Sequence, residues 1–254
     1  MEIKPNNLYL GNAYELIKDI PDKSVDIIIT DPPYDIQGLE SKAKKMTGML
    51  KDRKNKTFIH EMAETKLGNG IDLKILDDFV RVMKKINIYI WCNKEQIYEY
   101  LTYFVEQRKC NWEMFIWAKD NPPPFLNGHY LRDKEYCLYF WEKGIKVNPT
   151  YENGKTVMIS KVNTYDKNNF GHPTIKPVEF IEKFLEVSAN QTGGGYHNQI
   201  IVFDPFVGSG TTCLAAKHLG LSYIGFEINE KYFKIAQDRL NGINQKGEMN
   251  LFDI

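Results

Sequence analysis

The sequence carries no excess of either charge. Its 33 Lys and Arg residues match 33 Asp and Glu residues, for a formal net charge of zero. A chain-wide basic field is therefore absent, and any contact with a polyanion has to come from local clusters. Cysteine is scarce as well. Cys92, Cys110, Cys137 and Cys213 form no Cys-x-x-Cys pair, which argues against a zinc site or a disulfide framework. Buried, reduced thiols of a cytoplasmic protein are the expectation. No apolar run is long enough to span a bilayer. The N-terminus carries Glu2 and Lys4 in place of an apolar core, so no signal peptide is expected. The glycine turn at residues 208–210 is not followed by Lys-Ser/Thr, which excludes a P-loop there.

What is present suits one α/β domain over residues 1–254. Hydrophobic residues make up 43% of the chain, enough for a packed core. Apolar runs predict strands at Leu8–Leu10, Val25–Thr30, Ile86–Trp91, Trp112–Trp117, Glu135–Trp141, Gln199–Phe203 and Tyr223–Glu227. Between most of them lie helical patterns. Asn12 reads as the cap of a helix starting at Ala13, Asn93 and Asn229 as caps of two more, and Pro177 as the first turn of a fourth. Leu76, Phe79, Val80 and Met83 recur at helical spacing. This alternation predicts a doubly wound, mostly parallel seven-stranded sheet, whose ligands bind beyond the carboxyl ends of the strands. Residues 143–171 are polar and irregular.

Two stretches carry the chemistry. Asp204-Pro205-Phe206-Val207-Gly208-Ser209-Gly210-Thr211-Thr212 follows one strand and opens a helix, with small residues where a ligand must approach the backbone. Asp31-Pro32-Pro33-Tyr34 puts a carboxylate and an aromatic ring at another strand tip. Three ligands compete for the glycine turn. A dinucleotide fingerprint wants a third glycine where Cys213 stands, and a P-loop is excluded. S-adenosylmethionine needs a carboxylate for its ribose hydroxyls, and Glu227 ends the next strand about 20 residues on, the spacing of ribose-binding acids. A helix-start Glu that only favours the helix dipole is the structural alternative.

With these residues placed, the chain resembles the amino-methyltransferases of DNA, in particular the permuted beta group. There the catalytic Asp-Pro-Pro-Tyr precedes the cofactor turn, so the resemblance implies a Rossmann-like methyltransferase sheet with circularly permuted motif order. His172-Pro173-Thr174-Ile175-Lys176-Pro177 resembles the family's His-Pro-Thr-x-Lys-Pro segment, and Trp117-Ala118-Lys119 its segment behind a later strand. The resemblance implies S-adenosylmethionine as cofactor, held by Asn12, Ala13, Asp31, Lys176, Asp204, Phe206, Gly208, Gly210, Thr211 and Glu227. Asn12 stands where related sequences often have Asp. Catalysis is expected from Asp31, Pro32, Pro33 and Tyr34. The carboxylate of Asp31 and the carbonyl of Pro32 accept the two N–H bonds of an exocyclic amine, and Tyr34 stacks on a flipped base. No metal and no cysteine is required, and none of the four cysteines follows a proline, as the nucleophile of a cytosine-C5 enzyme would.

By the family's habit an Asp-led tetrapeptide favours N6 of adenine in DNA, in a restriction–modification, orphan or phage setting. N4 of cytosine and adenine in RNA are the alternatives within this chemistry. A cofactor-sensing DNA-binding protein is the alternative outside it, and a dehydrogenase is disfavoured by Cys213. Residues 36–70 form an expected basic, mobile loop in which Lys42, Lys44, Lys45, Lys51, Arg53 and Lys54 are candidate phosphate contacts on DNA. Residues 143–171 are a short candidate target-recognition insert. A restriction endonuclease is a possible partner, and Glu248–Phe252 resembles a peptide that docks on bacterial sliding clamps.

Overall fold

A computed structural model of the chain describes residues 2–34, 70–122, 124, 128, 130–161, 175–189 and 200–243. The basic stretch with Lys42, Lys44, Lys45, Lys51, Arg53 and Lys54 lies outside the described residues, as do His172, Pro173, Thr174 and Glu248–Phe252.

The strands are β1 (Asn7–Leu10), β2 (Ile27–Thr30), β3 (Asn87–Cys92), β4 (Asn111–Lys119), β5 (Lys134–Trp141), β6 (Val157–Ser160), β7 (Ile201–Asp204) and β8 (Ser222–Glu227). They join in one sheet of order β1-β8-β7-β2-β3-β5-β4-β6. Five pairings are parallel, and only those of β5 with β3 and β4 are antiparallel. Among the described residues the sheet thus has eight strands where seven were expected. The addition, β6, falls inside the stretch read as irregular. Its apolar run is three residues long, too short to carry a period, and as an edge strand it leaves Val157 and Ile159 52% and 71% exposed.

β2 and β3 are buried at every residue because helices cover both faces of the sheet. On one face lie α1 (Ala13–Leu16), α2 (Ile75–Val82) and α3 (Ile97–Leu101), the last continued by a π-helical turn over Thr102–Gln107. They pack against Ile28, Ile88, Ile90, Leu138, Phe140 and Phe203. On the other face α4 (Val178–Ala189) and α5 (Thr211–His218) pack against Ile27, Ile29, Tyr89, Trp91 and Val202. Tyr89 stacks between Tyr139 and Phe184, with ring centroids 4.0 and 4.6 Å away. The expected caps form at both ends of the chain. The Asn12 side chain accepts from the Tyr14 N–H, and Asn229 caps α6 (Glu230–Leu240) by accepting from Lys231 and Tyr232.

This topology decides where a ligand can bind. From β7 the chain crosses through α5 to β8 on one side, and from β2 it crosses to β3 on the other. The pair β2–β7 is therefore the switch point, and the crevice opens at its carboxyl end, between Asp31 and Asp204. Because β5 runs against its neighbours, its amino end, Lys134 and Glu135, joins that same edge.

Gly225 shows how tightly β8 supports this edge. A Cβ there would lie 2.5 Å from Val207 Cγ2, 2.6 Å from Leu8 Cδ2 and 2.9 Å from Cys213 Sγ. Gly225→Ala is expected to cost about 1–3 kcal/mol by overpacking. Thermal denaturation should show Tm falling by several degrees, and an unchanged Tm would mean that the strand and the glycine turn are free to separate.

Candidate active site

The site grows out of three strand tips. β2 ends at Thr30, and the two prolines that follow Asp31 fix the backbone there. The Asp31 carboxylate is 27% exposed and doubly engaged: Oδ1 accepts from the Tyr34 hydroxyl at 2.8 Å, and Oδ2 is ion-paired with Lys176 Nζ. Lys176 precedes α4 and is 7% exposed in its side chain. Its ammonium also meets Glu135 Oε2 at 3.1 Å and lies over the rings of Trp91 and Tyr34, 5.1 and 5.8 Å from their centroids. Lys119, at the end of β4, takes the other oxygen of Glu135. The result is a row of alternating charge, Asp31–Lys176–Glu135–Lys119, drawn from four separate segments.

The two central charges of the row are kept by their neighbours. Burial alone would raise the Glu135 carboxyl, but the ammonium groups of Lys176 and Lys119 outweigh it and hold the group at about 2. Burial would likewise neutralise Lys176, yet Asp31 and Glu135 push its ammonium above the usual lysine range. The Tyr34 phenol is raised well above its ordinary value by burial and then by the charges of Asp31 and Glu135, so it stays a hydroxyl and a donor.

β7 ends in Asp204, which is 3% exposed. Its Oδ1 accepts from Thr30 Oγ1 at 2.9 Å and from the Phe206 N–H at 3.0 Å, so it locks the tip of β2 to the glycine turn. Gly208 and Gly210 adopt left-handed φ of 54° and 84°. A Cβ on Gly210 would approach Ala236 of α6 to 3.1 Å, so the second glycine also serves helix packing. Thr211 opens α5 with its hydroxyl taken by the buried Arg239, at 2.7 Å. β8 ends in Glu227, whose oxygens accept the N–H groups of Gly208 and Asn229, each at 2.8 Å. Burial raises its carboxyl despite these bonds. Beside it, Gly11 donates its N–H to the Glu227 carbonyl at 2.8 Å, which brings Asn12 and Ala13 to the same corner.

The structure therefore gathers Asp31, Tyr34, Lys176, Asp204, Phe206, the glycine turn, Glu227, Asn12 and Ala13 along one sheet edge. Lys176, expected to help hold the cofactor, sits on Asp31 and Glu135. Glu135 and Thr30 went unnoticed in the sequence. Glu135 looks like an ordinary strand start unless the reversed direction of β5 is known. Among the described residues no cluster of His, Cys, Asp and Glu could hold a metal ion, and no helix is long and apolar enough to cross a membrane.

A family model for DNA methylases of the N6/N4 type matches residues 25–238. The chain belongs to this DNA methylase family. The members it resembles include the type II methyltransferase M.HpaI of Haemophilus parainfluenzae, 28% identical over 97% of this chain and 76% of that one. Another is M.HinfI of Haemophilus influenzae, 26% identical over 94% of this chain and 69% of that one. Among solved structures, M1.HpyAVI in complex with S-adenosylmethionine superposes with a TM-score of 0.64 at 28% identity, covering 92% of this chain and 98% of that one. The cytosine-N4-specific PvuII methyltransferase shares the fold, with a TM-score of 0.63 at 16% identity over 93% of this chain and 86% of that one.

S-adenosylmethionine is the cofactor of this methylase family, and the residues present fit it. An ionised carboxylate offers about four lone-pair positions. Glu227 accepts from Gly208 and Asn229, and its remaining lone pairs are available to the ribose hydroxyls.

The Asp204 carboxyl is pushed up to about 7, chiefly by burial, against the pull of its bonds from Phe206, Thr212 and Thr30. The folded state thus holds this proton more tightly than the unfolded chain, where it leaves near pH 3.9. The contribution is full below that value and is lost as pH rises toward 7. Asp204→Asn removes the titration, so its stability relative to wild type should climb between pH 5 and pH 8 in urea titrations. A difference that stays flat with pH would place a charged Asp204 in the fold throughout.

Proposed function

We propose that this DNA methyltransferase modifies N6 of adenine in a flipped-out base, as a site-specific enzyme of the restriction–modification type. The observation that carries the reading is the acid at the head of Asp31-Pro32-Pro33-Tyr34. Its carboxylate is held by Lys176 at the switch-point crevice, one strand from the glycine turn. The similarity to M.HpaI and M.HinfI, both named type II methyltransferases, supports the modification role. A restriction endonuclease of matching specificity is the partner that such a role implies.

An exocyclic amine is a poor nucleophile because its lone pair is delocalised into the ring. Asp31 and the Pro32 carbonyl accept its two N–H bonds and draw the nitrogen toward a tetrahedral shape. Proline-fixed backbone on either side keeps that acceptor pair from reorganising. Tyr34 offers the face on which the extruded base stacks, replacing stacking lost from the duplex. When bound, S-adenosylmethionine supplies a methyl group on a positively charged sulfur. Glu227, the backbone of the Gly208–Gly210 turn, Phe206, Asn12 and Ala13 are the groups proposed to hold it. As the amine becomes cationic, the negative charge of Asp31 stabilises it. The basic stretch between residues 36 and 70 and the segment 143–171 are proposed to hold and read the DNA around that base.

Transfer of labelled methyl to unmethylated DNA, followed by nucleoside mass spectrometry, tests the reading. N6-methyladenine is expected. N4-methylcytosine would keep the chemistry and change the base, and label found only in RNA would overturn the polymer. Asp31→Ala should lower the rate by several orders of magnitude while S-adenosylmethionine still binds. Glu227→Ala should do the reverse, weakening cofactor binding roughly 10- to 100-fold for the loss of hydrogen bonds to a charged acceptor. Equal cofactor affinity in that variant, measured by calorimetry, would remove Glu227 from the site.

A further inference from the structure

We propose that Glu135 is a positioning residue for methyl transfer, acting on Asp31 through Lys176. The inference rests on the catalytic reading of Asp31 given above. Lys176 is almost fully buried, and its ammonium is shared between two carboxylates that approach from different strands, Asp31 at the tip of β2 and Glu135 at the start of β5. Were Asp31 its only anionic partner, the pair would be closed. The lysine would drift toward the carboxylate face that the target amine has to reach, and a fully matched ion pair is a weak acceptor. Glu135 draws the ammonium back by a contact of 3.1 Å. Asp31 keeps net negative character, while its Oδ2 stays fixed and Oδ1 points to the Tyr34 hydroxyl.

Glu135 is itself immobilised. Lys119 takes its second oxygen, and the strand beneath is pinned by pairing with β3 and β4 on both sides. Lys119 in turn lies over the Trp117 ring, 5.0 Å from its centroid, and the Trp117 indole N–H donates to Ser160 of β6 at 2.9 Å. Within this charge row Lys176 is the member that touches Asp31, on Oδ2, while Tyr34 from outside the row donates to Oδ1. The row therefore serves to orient and balance the acceptor, since a small misplacement of a reacting group is enough to slow a reaction about 100-fold.

Glu135→Gln keeps the shape and one acceptor oxygen but removes the charge. It should lower the single-turnover methylation rate about 10- to 100-fold, with KM for DNA and S-adenosylmethionine within a few-fold of wild type. Glu135→Asp should recover part of the rate. In a Lys176→Met background the same Glu135→Gln change should have little further effect, because its path to Asp31 is gone. Circular dichroism and Tm confirm that each variant is folded. A folded Glu135→Gln enzyme with wild-type single-turnover rate would overturn the proposal, as would a full, additive loss in the Lys176→Met background. A wild-type enzyme that transfers no methyl to DNA would instead overturn the reading of Asp31 on which it rests.

Discussion

The parallel pairing of β2 with β7 is the constraint on which the molecule depends. It joins Ile27 to Val202 and Ile28 to Phe203, and it seals the junction with a hydrogen bond from Thr30 to Asp204 across 174 residues of chain. Everything to one side, β8 and β1, belongs to the half with the glycine turn and Glu227. Everything to the other, β3 through β6, builds the half with the charge row. Neither half has a complete crevice alone. The buried Asp204 carboxyl works at that seam less as a chemical reagent than as a bolt, holding the end of one strand to the first turn beyond the other.

The electrostatics follow from the same geometry. Two carboxylates and two ammonium groups stand in a partly buried row, an arrangement that would be unstable with any member missing a partner. Lys176 and Glu135 hold their charges because each touches two opposite neighbours. Aromatic faces complete the enclosure: Trp91 and Tyr34 for Lys176, and Trp117 for Lys119. The site is thus held in its acceptors by ion pairs and ring faces, and a fixed carboxylate of this kind stabilises a cation forming beside it.

Much of this was legible in the sequence. Asp31-Pro32-Pro33-Tyr34, the Asp204 turn and Glu227 all lie where continuous apolar runs end, and a strand tip is a position that local pattern predicts well. The order of the sheet is another matter. Nothing local tells that β5 runs antiparallel, so Glu135 reads as the start of an ordinary strand although the fold brings it to Lys176. β6 escaped because three apolar residues among polar ones carry no period. The partners of Lys176 escaped for the same reason as Glu135: ion pairs between segments far apart in the chain are a property of topology.

The reversal of β5 also shapes what the fold can accommodate. Lys119 leaves β4 and Asp133 leads into β5 at neighbouring points, tied by a hydrogen bond of 2.7 Å from the Lys119 N–H to the Asp133 carbonyl. The connection between them therefore starts and finishes at the rim of the crevice. Extra residues added there would lengthen the rim at small entropic cost and leave every strand register intact. Divergence in what is grasped around the crevice can accumulate at that hairpin while the acceptor beneath keeps its place.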